Sequence, residues 1–256
     1  MEDESTCLSA CLNERNFSCH SVNFIRTRGI CEMSRWNKRS KPQDFSRSAP
    51  GVDYYENNCL TRNTRCTSGE LRFMKTFNSE ILGFDVTEGV ESLPSCLEKC
   101  LNSELIFCRS VEYDRGSDEC LISDEDSYSV PEMVSNALAV GIDLFEPVCL
   151  PSTGELSIVC ERPYLFEKVL ESALDVTAFR VLRHVTAEEC MNACARDARC
   201  RSANHRPQTL TCALADVDRN NNGSARLMEQ DGTNYYEHSC RAGGEGGGGR
   251  GGGNEG

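Results

Sequence analysis

The sequence predicts a mixed helix-and-strand protein divided into three small modules held by disulfides. Three observations carry this reading: 17 cysteines in 256 residues, a cysteine spacing that recurs three times, and helix and strand patterns that recur with it. Cysteine at this density belongs to an oxidising compartment, where disulfides persist and hold together domains with small cores. Charged residues at 26% and hydrophobic ones at 39% describe a globular chain rather than a disordered one.

The repeat is read from the cysteines. Cys96, Cys100, Cys108 and Cys120 are separated by 3, 7 and 11 residues, and Cys7, Cys11, Cys19 and Cys31 have the same separations. Cys190, Cys194, Cys200 and Cys212 follow at 3, 5 and 11. After 27 or 28 further residues each quartet is closed by Cys59, Cys149 or Cys240, and two quartets are preceded by Cys66 and Cys160. The odd total is thereby explained: the first module lacks its opening cysteine. Its start, MEDESTCLSAC, has neither the basic residues nor the apolar run of a signal peptide, so a chain of this composition is expected to be a fragment of a longer secreted protein.

Each segment has a local signature. Thr186 and Glu189 fit a capping box ahead of the pair Cys190 and Cys194, and Ser92 can cap the helix carrying Cys96 and Cys100, with Pro94 in its first turn. Residues four apart share a helix face, so both cysteines of a C-x3-C pair point to whatever the helix packs on. CHSVNF (19–24), CRSVEY (108–113) and CRSANH (200–205) share C-x-S followed by strand-like alternation. DYYENNC, DLFEPVC and NYYEHSC each place two aromatic or large apolar residues and a Glu before the closing cysteine. DRGSDE (114–119) reads as a hairpin turn rather than a calcium loop, because it lacks the ligand spacing and the closing Glu. Paired C-x2-C knuckles and redox C-x-x-C motifs are both missing, so the cysteines read as structural staples. Six of them still allow 15 pairings.

At this point the residues resemble the PAN/Apple module family, over residues 1–240. The resemblance implies an α+β fold of tandem small disulfide-stapled modules, each a short antiparallel sheet crossed by one helix. It implies modules at 1–60 (N-terminally truncated), 66–149 and 160–240; residues 241–256, low in complexity and rich in Gly, read as a flexible tail. It also implies the pairing: Cys66–Cys149, Cys96–Cys120 and Cys100–Cys108; Cys160–Cys240, Cys190–Cys212 and Cys194–Cys200; and Cys7–Cys31 with Cys11–Cys19, leaving Cys59 unpaired. Linkers are expected to join the modules like beads, with the first the least stable because its closing bridge cannot form. An exposed Cys59 is a candidate for an intermolecular bridge.

Functional classes follow. The four histidines, His20, His184, His205 and His238, accompany no nucleophile, zinc or phosphate-loop motif, so an enzyme, a metal and a cofactor are not expected. Residues 1–65 carry a net charge of +2, residues 66–159 a net −13 and residues 160–256 a net −2, which argues against nucleic acid as a partner. No apolar run is long enough to cross a bilayer. Arg35, Trp36, Lys38, Arg39 and Lys41 form a basic loop around the only tryptophan, a candidate contact for a sulfated glycan. Asn16 and Asn222 head N-glycosylation sequons. The resemblance implies a non-enzymatic extracellular protein that binds proteins or carbohydrates, of the kind found in the apical matrix and cuticle of moulting animals, where a zona pellucida domain often follows. The non-catalytic arm of a secreted serine protease and a secreted lectin are the alternatives.

Overall fold

The computed structural model describes residues 3–38, 41, 44–46, 49–61, 64–66, 68–83, 86–136, 140–156, 160, 162–220 and 225–240. The first module contains α1 (Glu4–Leu12), β1 (Ser21–Ile25), β2 (Ile30–Ser34) and β3 (Val52–Glu56). The second runs β4 (Glu70–Thr76), β5 (Glu80–Ile81), β6 (Val86–Val90), α2 (Leu93–Asn102), β7 (Ser110–Asp114), β8 (Glu119–Ser123), β9 (Val134–Ser135) and β10 (Ile142–Leu150). The third runs β11 (Tyr164–Val169), β12 (Ser172–Leu174), β13 (Arg180–Arg183), α3 (Ala187–Arg196), β14 (Ser202–Arg206), β15 (Thr211–Ala215), β16 (Leu227–Glu229) and β17 (Asn234–His238). The class is α+β with sheet predominant.

The helices start where the sequence says, by different means. Asp3 caps α1 by accepting the Thr6 N–H at 2.7 Å. Thr186 and Glu189 close a reciprocal capping box on α3, worth about 1 kcal/mol. Ser92 stands at the N-cap of α2, but its side chain makes no cap bond. Pro94 occupies the second helical position and has no N–H, which removes one of the two donors a capping side chain serves.

Every helix is tied to its sheet twice. Cys7–Cys31 and Cys11–Cys19 hold α1, Cys96–Cys120 and Cys100–Cys108 hold α2, and Cys190–Cys212 and Cys194–Cys200 hold α3. Cys66–Cys149 and Cys160–Cys240 join the ends of the second and third modules. Cys59 is free and exposed. The shared C-x-S also acquires a role. The hydroxyls of Ser21, Ser110 and Ser202 donate to the carbonyls of Trp36, Glu125 and Val217 at 2.6, 2.8 and 2.7 Å. In all three modules one serine thus fixes the loop leaving the cysteine hairpin. Between β7 and β8, DRGSDE forms a turn, with the Asp114 carboxylate accepting the Gly116 N–H at 2.7 Å.

The modules are not beads. β2-β1-β3 is a separate sheet, but the second and third modules share one sheet of ten strands, ordered β13-β15-β14-β17-β11-β4-β10-β7-β8-β6. Pairing is antiparallel within each half and parallel at the seam, where β4 meets β11 with Glu167 opposite Lys75 and Lys168 opposite Thr76. The strand order of one half mirrors that of the other, and two equivalent strands run side by side in the same direction. Such an arrangement places α2 and α3 on opposite faces. Successive strand residues confirm it: Phe73 packs in the α2 core with Val111 and Phe145, whereas Met74 packs in the α3 core with Val148, Leu150, Phe166 and Met191. Tyr164 of the third module leans the other way, its ring 5.7 Å from that of Phe145. Each core therefore contains side chains from the neighbouring module, which is why the linker cannot act as a hinge here.

Met74 is 1% exposed, and Met74→Ala should cost about 2–5 kcal/mol. The loss should appear as reduced amide protection in α3, although Met74 belongs to the second module. Loss confined to α2 would contradict the shared core.

Candidate functional site at the module junctions

The Glu that precedes each closing cysteine by three residues is the first structural feature of the junctions. Glu56 accepts from Arg109 of the second module at 2.8 Å, with both side chains largely buried. Glu146 is fully buried and lies 3.8 Å from Lys168 of the third module. Glu237 pairs with Arg219 of its own module at 3.2 Å. Two of the three glutamates thus receive a cation from the next module along the chain. In the first and third modules the preceding tyrosine joins in: Tyr54 and Tyr235 donate to Glu56 and Glu237 at 3.0 and 2.7 Å. Burial and the adjacent carboxylate push both hydroxyls well above the ordinary tyrosine range.

The first module docks through further contacts. His20 is hydrogen-bonded through Nε2 to the Thr64 carbonyl at 3.0 Å. Arg65, between the modules, donates to the Cys108 carbonyl at 2.6 Å and lies 4.1 Å over the Phe107 ring, which Arg109 also approaches at 5.2 Å. Lys41 reaches across to Glu189 on α3 at 3.2 Å, with its ammonium 5.2 Å from the Trp36 ring. On the other side of that junction, Asn192 donates to the Cys149 carbonyl at 3.0 Å and the Cys149 N–H donates to Glu188 at 3.2 Å. Around these groups lies a cleft of 260 Å³ to which all three modules contribute, with Trp36, Lys41, Arg65, Phe107, Arg109 and Glu189 among its walls.

The candidate glycan residues divide. Trp36, Lys38 and Lys41 line one groove of 440 Å³ on the first module, together with Glu32, Asp44 and Tyr54. Trp36 is 40% exposed, enough for a flat ligand to stack on it. Arg35 turns away and lies 5.4 Å over Phe17. Arg39 is outside the described residues, as are Asn222 and the Gly-rich tail. Asn16 is exposed beyond the end of α1. The charge of Lys41 is partly answered by Glu189, a role no sequence pattern announced, because the two residues are 148 positions apart. Among the described residues, no group of three or more His, Cys, Asp or Glu could hold a metal ion, and no helix is long and apolar enough to cross a membrane.

Known proteins match as follows. The family model for the PAN domain matches this chain three times, over residues 1–59, 66–149 and 160–240. Protein let-653 of Caenorhabditis elegans is 46% identical over 56 residues, which is 21% of this chain and only 7% of that protein. A solution structure of the two N-terminal apple domains of Toxoplasma gondii microneme protein 4 is 16% identical, covering 63% of this chain and 84% of that one, with a TM-score of 0.23.

Arg109→Ala should leave Glu56 mostly buried without its cation, at a cost of about 1.5–3 kcal/mol. Limited proteolysis should then cut faster between residues 57 and 68 than in the native chain; unchanged cleavage would mean that Arg109 does not hold the junction. A second expectation concerns pH. Burial favours the neutral ring of His20 and of His205, so their folded pKa values lie below the ordinary 6.5. The unfolded chain binds more protons below that value, so the stability they contribute is present above about pH 6.5 and is lost as pH falls through the folded values. Glu237, raised by burial, acts with the opposite sign. The denaturant midpoint should therefore fall between about pH 7 and about pH 5, and His20→Phe with His205→Phe should flatten the fall.

Proposed function

The chain belongs to the PAN domain family, and from that premise we propose that it is the adhesive segment of an apical matrix or cuticle-associated protein. PAN domains are typically extracellular modules that bind protein or carbohydrate and do no chemistry. The observation that supports the reading most is the threefold family match, residues 1–59, 66–149 and 160–240, in a chain with eight disulfides. Repeated modules offer repeated weak contacts, and a matrix component gains retention from their multiplicity rather than from one tight site. A block in which two modules share a sheet keeps those contacts at fixed spacing, so simultaneous engagement costs little ordering.

Within this reading the groove of Trp36 and Lys38 is the contact for a sulfated glycan, with the indole as a stacking face and the lysine as counter-charge.

Two measurements test the proposal. A tag at the native locus should stain the apical matrix, and the protein should resist extraction by salt and mild detergent. A freely soluble protein, or one released together with a peptidase, would overturn the matrix role. On immobilised heparin, Trp36→Ala with Lys38→Ala should lower the eluting salt concentration, whereas Arg115→Ala, remote from the groove, should not. Equal effects of the two would reduce the glycan contact to general charge.

A further inference from the structure

A concavity of 760 Å³ lies at the seam between the second and third modules. Its roof is the segment 127–136 of the second module, and α3 presents its first turn at one end. Lys168, His205 and Tyr236 line it from the sheet, with Tyr128, Val148 and Met191 around them. Comparison of the modules shows two departures, and both fall in this cleft.

The first is His205. Its place in β14 corresponds to Tyr113 in β7 and Phe24 in β1. The Tyr113 hydroxyl donates to the Asp118 carboxylate at 2.6 Å and lies 3.1 Å from the Glu91 carbonyl, immediately before the N-cap of α2. His205 meets the Val185 carbonyl through Nε2 at 2.9 Å, immediately before the N-cap of α3. A carbonyl can only accept, so Nε2 carries the hydrogen and Nδ1 the lone pair. His205 is 2% exposed and Nδ1 has no hydrogen-bond partner. Tyrosine would fill the same place and leave no buried ring nitrogen unanswered.

The second is Lys168. It precedes the left-handed residue Glu171 by three, as Lys75 precedes the left-handed Asn78. Lys75 is answered inside its own module by Asp143 at 3.0 Å. The residue corresponding to Asp143, three before the glutamate of the closing segment, is Asn234, which carries no charge. Among the described residues the carboxylate paired with Lys168 is Glu146 at 3.8 Å, too far for a hydrogen bond, and one Glu146 oxygen has no hydrogen-bond partner.

His205, whose Nδ1 has no hydrogen-bond partner, and the buried Lys168 therefore line one cleft with aromatic and aliphatic walls. Glu146 behind Lys168, and Glu171 and Glu188 in the lining, disfavour an anion. The chemistry left is that of a neutral polyhydroxylated ring, whose hydroxyls both donate and accept and whose C–H face packs on apolar side chains. We propose that the seam cleft binds a neutral pyranose, with His205 Nδ1 accepting from one hydroxyl and the Lys168 ammonium donating to another. The proposal rests on the binding-module reading above but uses a site separate from the Trp36 groove.

The test uses the intact chain and the methyl glycosides of glucose, galactose and mannose, with glucuronic acid as the anionic comparison. Saturation transfer and the ring 15N resonances of labelled histidine are read together. At least one neutral glycoside should bind and shift His205. His205→Phe, which installs the first module's residue, and Lys168→Met should each weaken binding about tenfold or more, while Arg115→Ala, outside both the seam cleft and the Trp36 groove, leaves it unchanged. His205→Phe should keep the native melting transition, whereas Lys168→Met leaves buried Glu146 without its cation and should lower it, so binding is measured below each variant's own transition. The histidine shift in the native chain is read without any substitution. Absence of neutral-sugar binding, preference for glucuronic acid, or binding that survives both variants would each overturn the proposal. Loss of the sugar site with matrix staining intact removes this inference alone. Sugar binding without matrix staining removes the matrix reading alone.

Discussion

A carboxylate three residues before each closing cysteine finds a cation, and the source of that cation decides how the modules are arranged. Glu56 takes Arg109, Glu146 takes Lys168 and Glu237 takes Arg219. Where the cation comes from the next module, the pair can form only in one relative orientation. Burying such a pair gains little net stability, since desolvation offsets most of the Coulomb attraction. The alternative, a buried glutamate with no partner, is strongly unfavourable. These pairs therefore select an orientation more than they add stability, and the disulfides and shared cores supply the rest.

The seam converts that orientation into continuous structure. Once β11 lies parallel to β4, residues alternate into two cores, and Met74, Val148 and Leu150 become part of the packing around α3. Lys75, Asp143 and Glu167 form a further buried group across the same strands, extended by Arg219, which binds both Glu167 and Glu237. The loop 127–136 is thereby brought over the sheet of the third module, and a cleft results that neither module possesses alone. The function argued for the seam is thus a property of the pair of modules.

Much of the single module was legible in the sequence because its determinants are local. Cysteines four apart require one helix face, Thr186 and Glu189 announce the start of α3, and C-x-S with alternation announces each hairpin strand. The α+β class and the family both follow from that pattern. Ser92 stands at the cap position but its side chain makes no cap bond, one of the two donors it could serve being lost to Pro94. The seam could not be read in the same way. Tyr164–Val169 reads as a strand of mixed apolar and charged residues, and nothing local distinguishes an edge left free from an edge that pairs in parallel. Long-range partners were hidden for a similar reason. Lys41 looked like a free cation of a basic loop, and only its placement beside α3 gives it Glu189. His205 was read as a strand residue occupying an aromatic position, which it is; the unused nitrogen is visible only when the partner of the other one is known.

The two junctions consequently differ in kind. The second and third modules are joined by a backbone ladder and by cores that interleave, neither of which salt weakens. The first module is joined by Arg109 with Glu56, by Arg65 on Phe107 and by Lys41 with Glu189, and the last of these is substantially exposed. Solvent-exposed ion pairs are weakened by salt. The first module is thus the part whose attachment responds to its ionic surroundings, and it also carries Trp36, Lys38 and the exposed Cys59. A polyanion bound in the Trp36 groove would compete with Glu189 for Lys41. The proposed glycan contact would thus be coupled to the docking of the first module through one ammonium group.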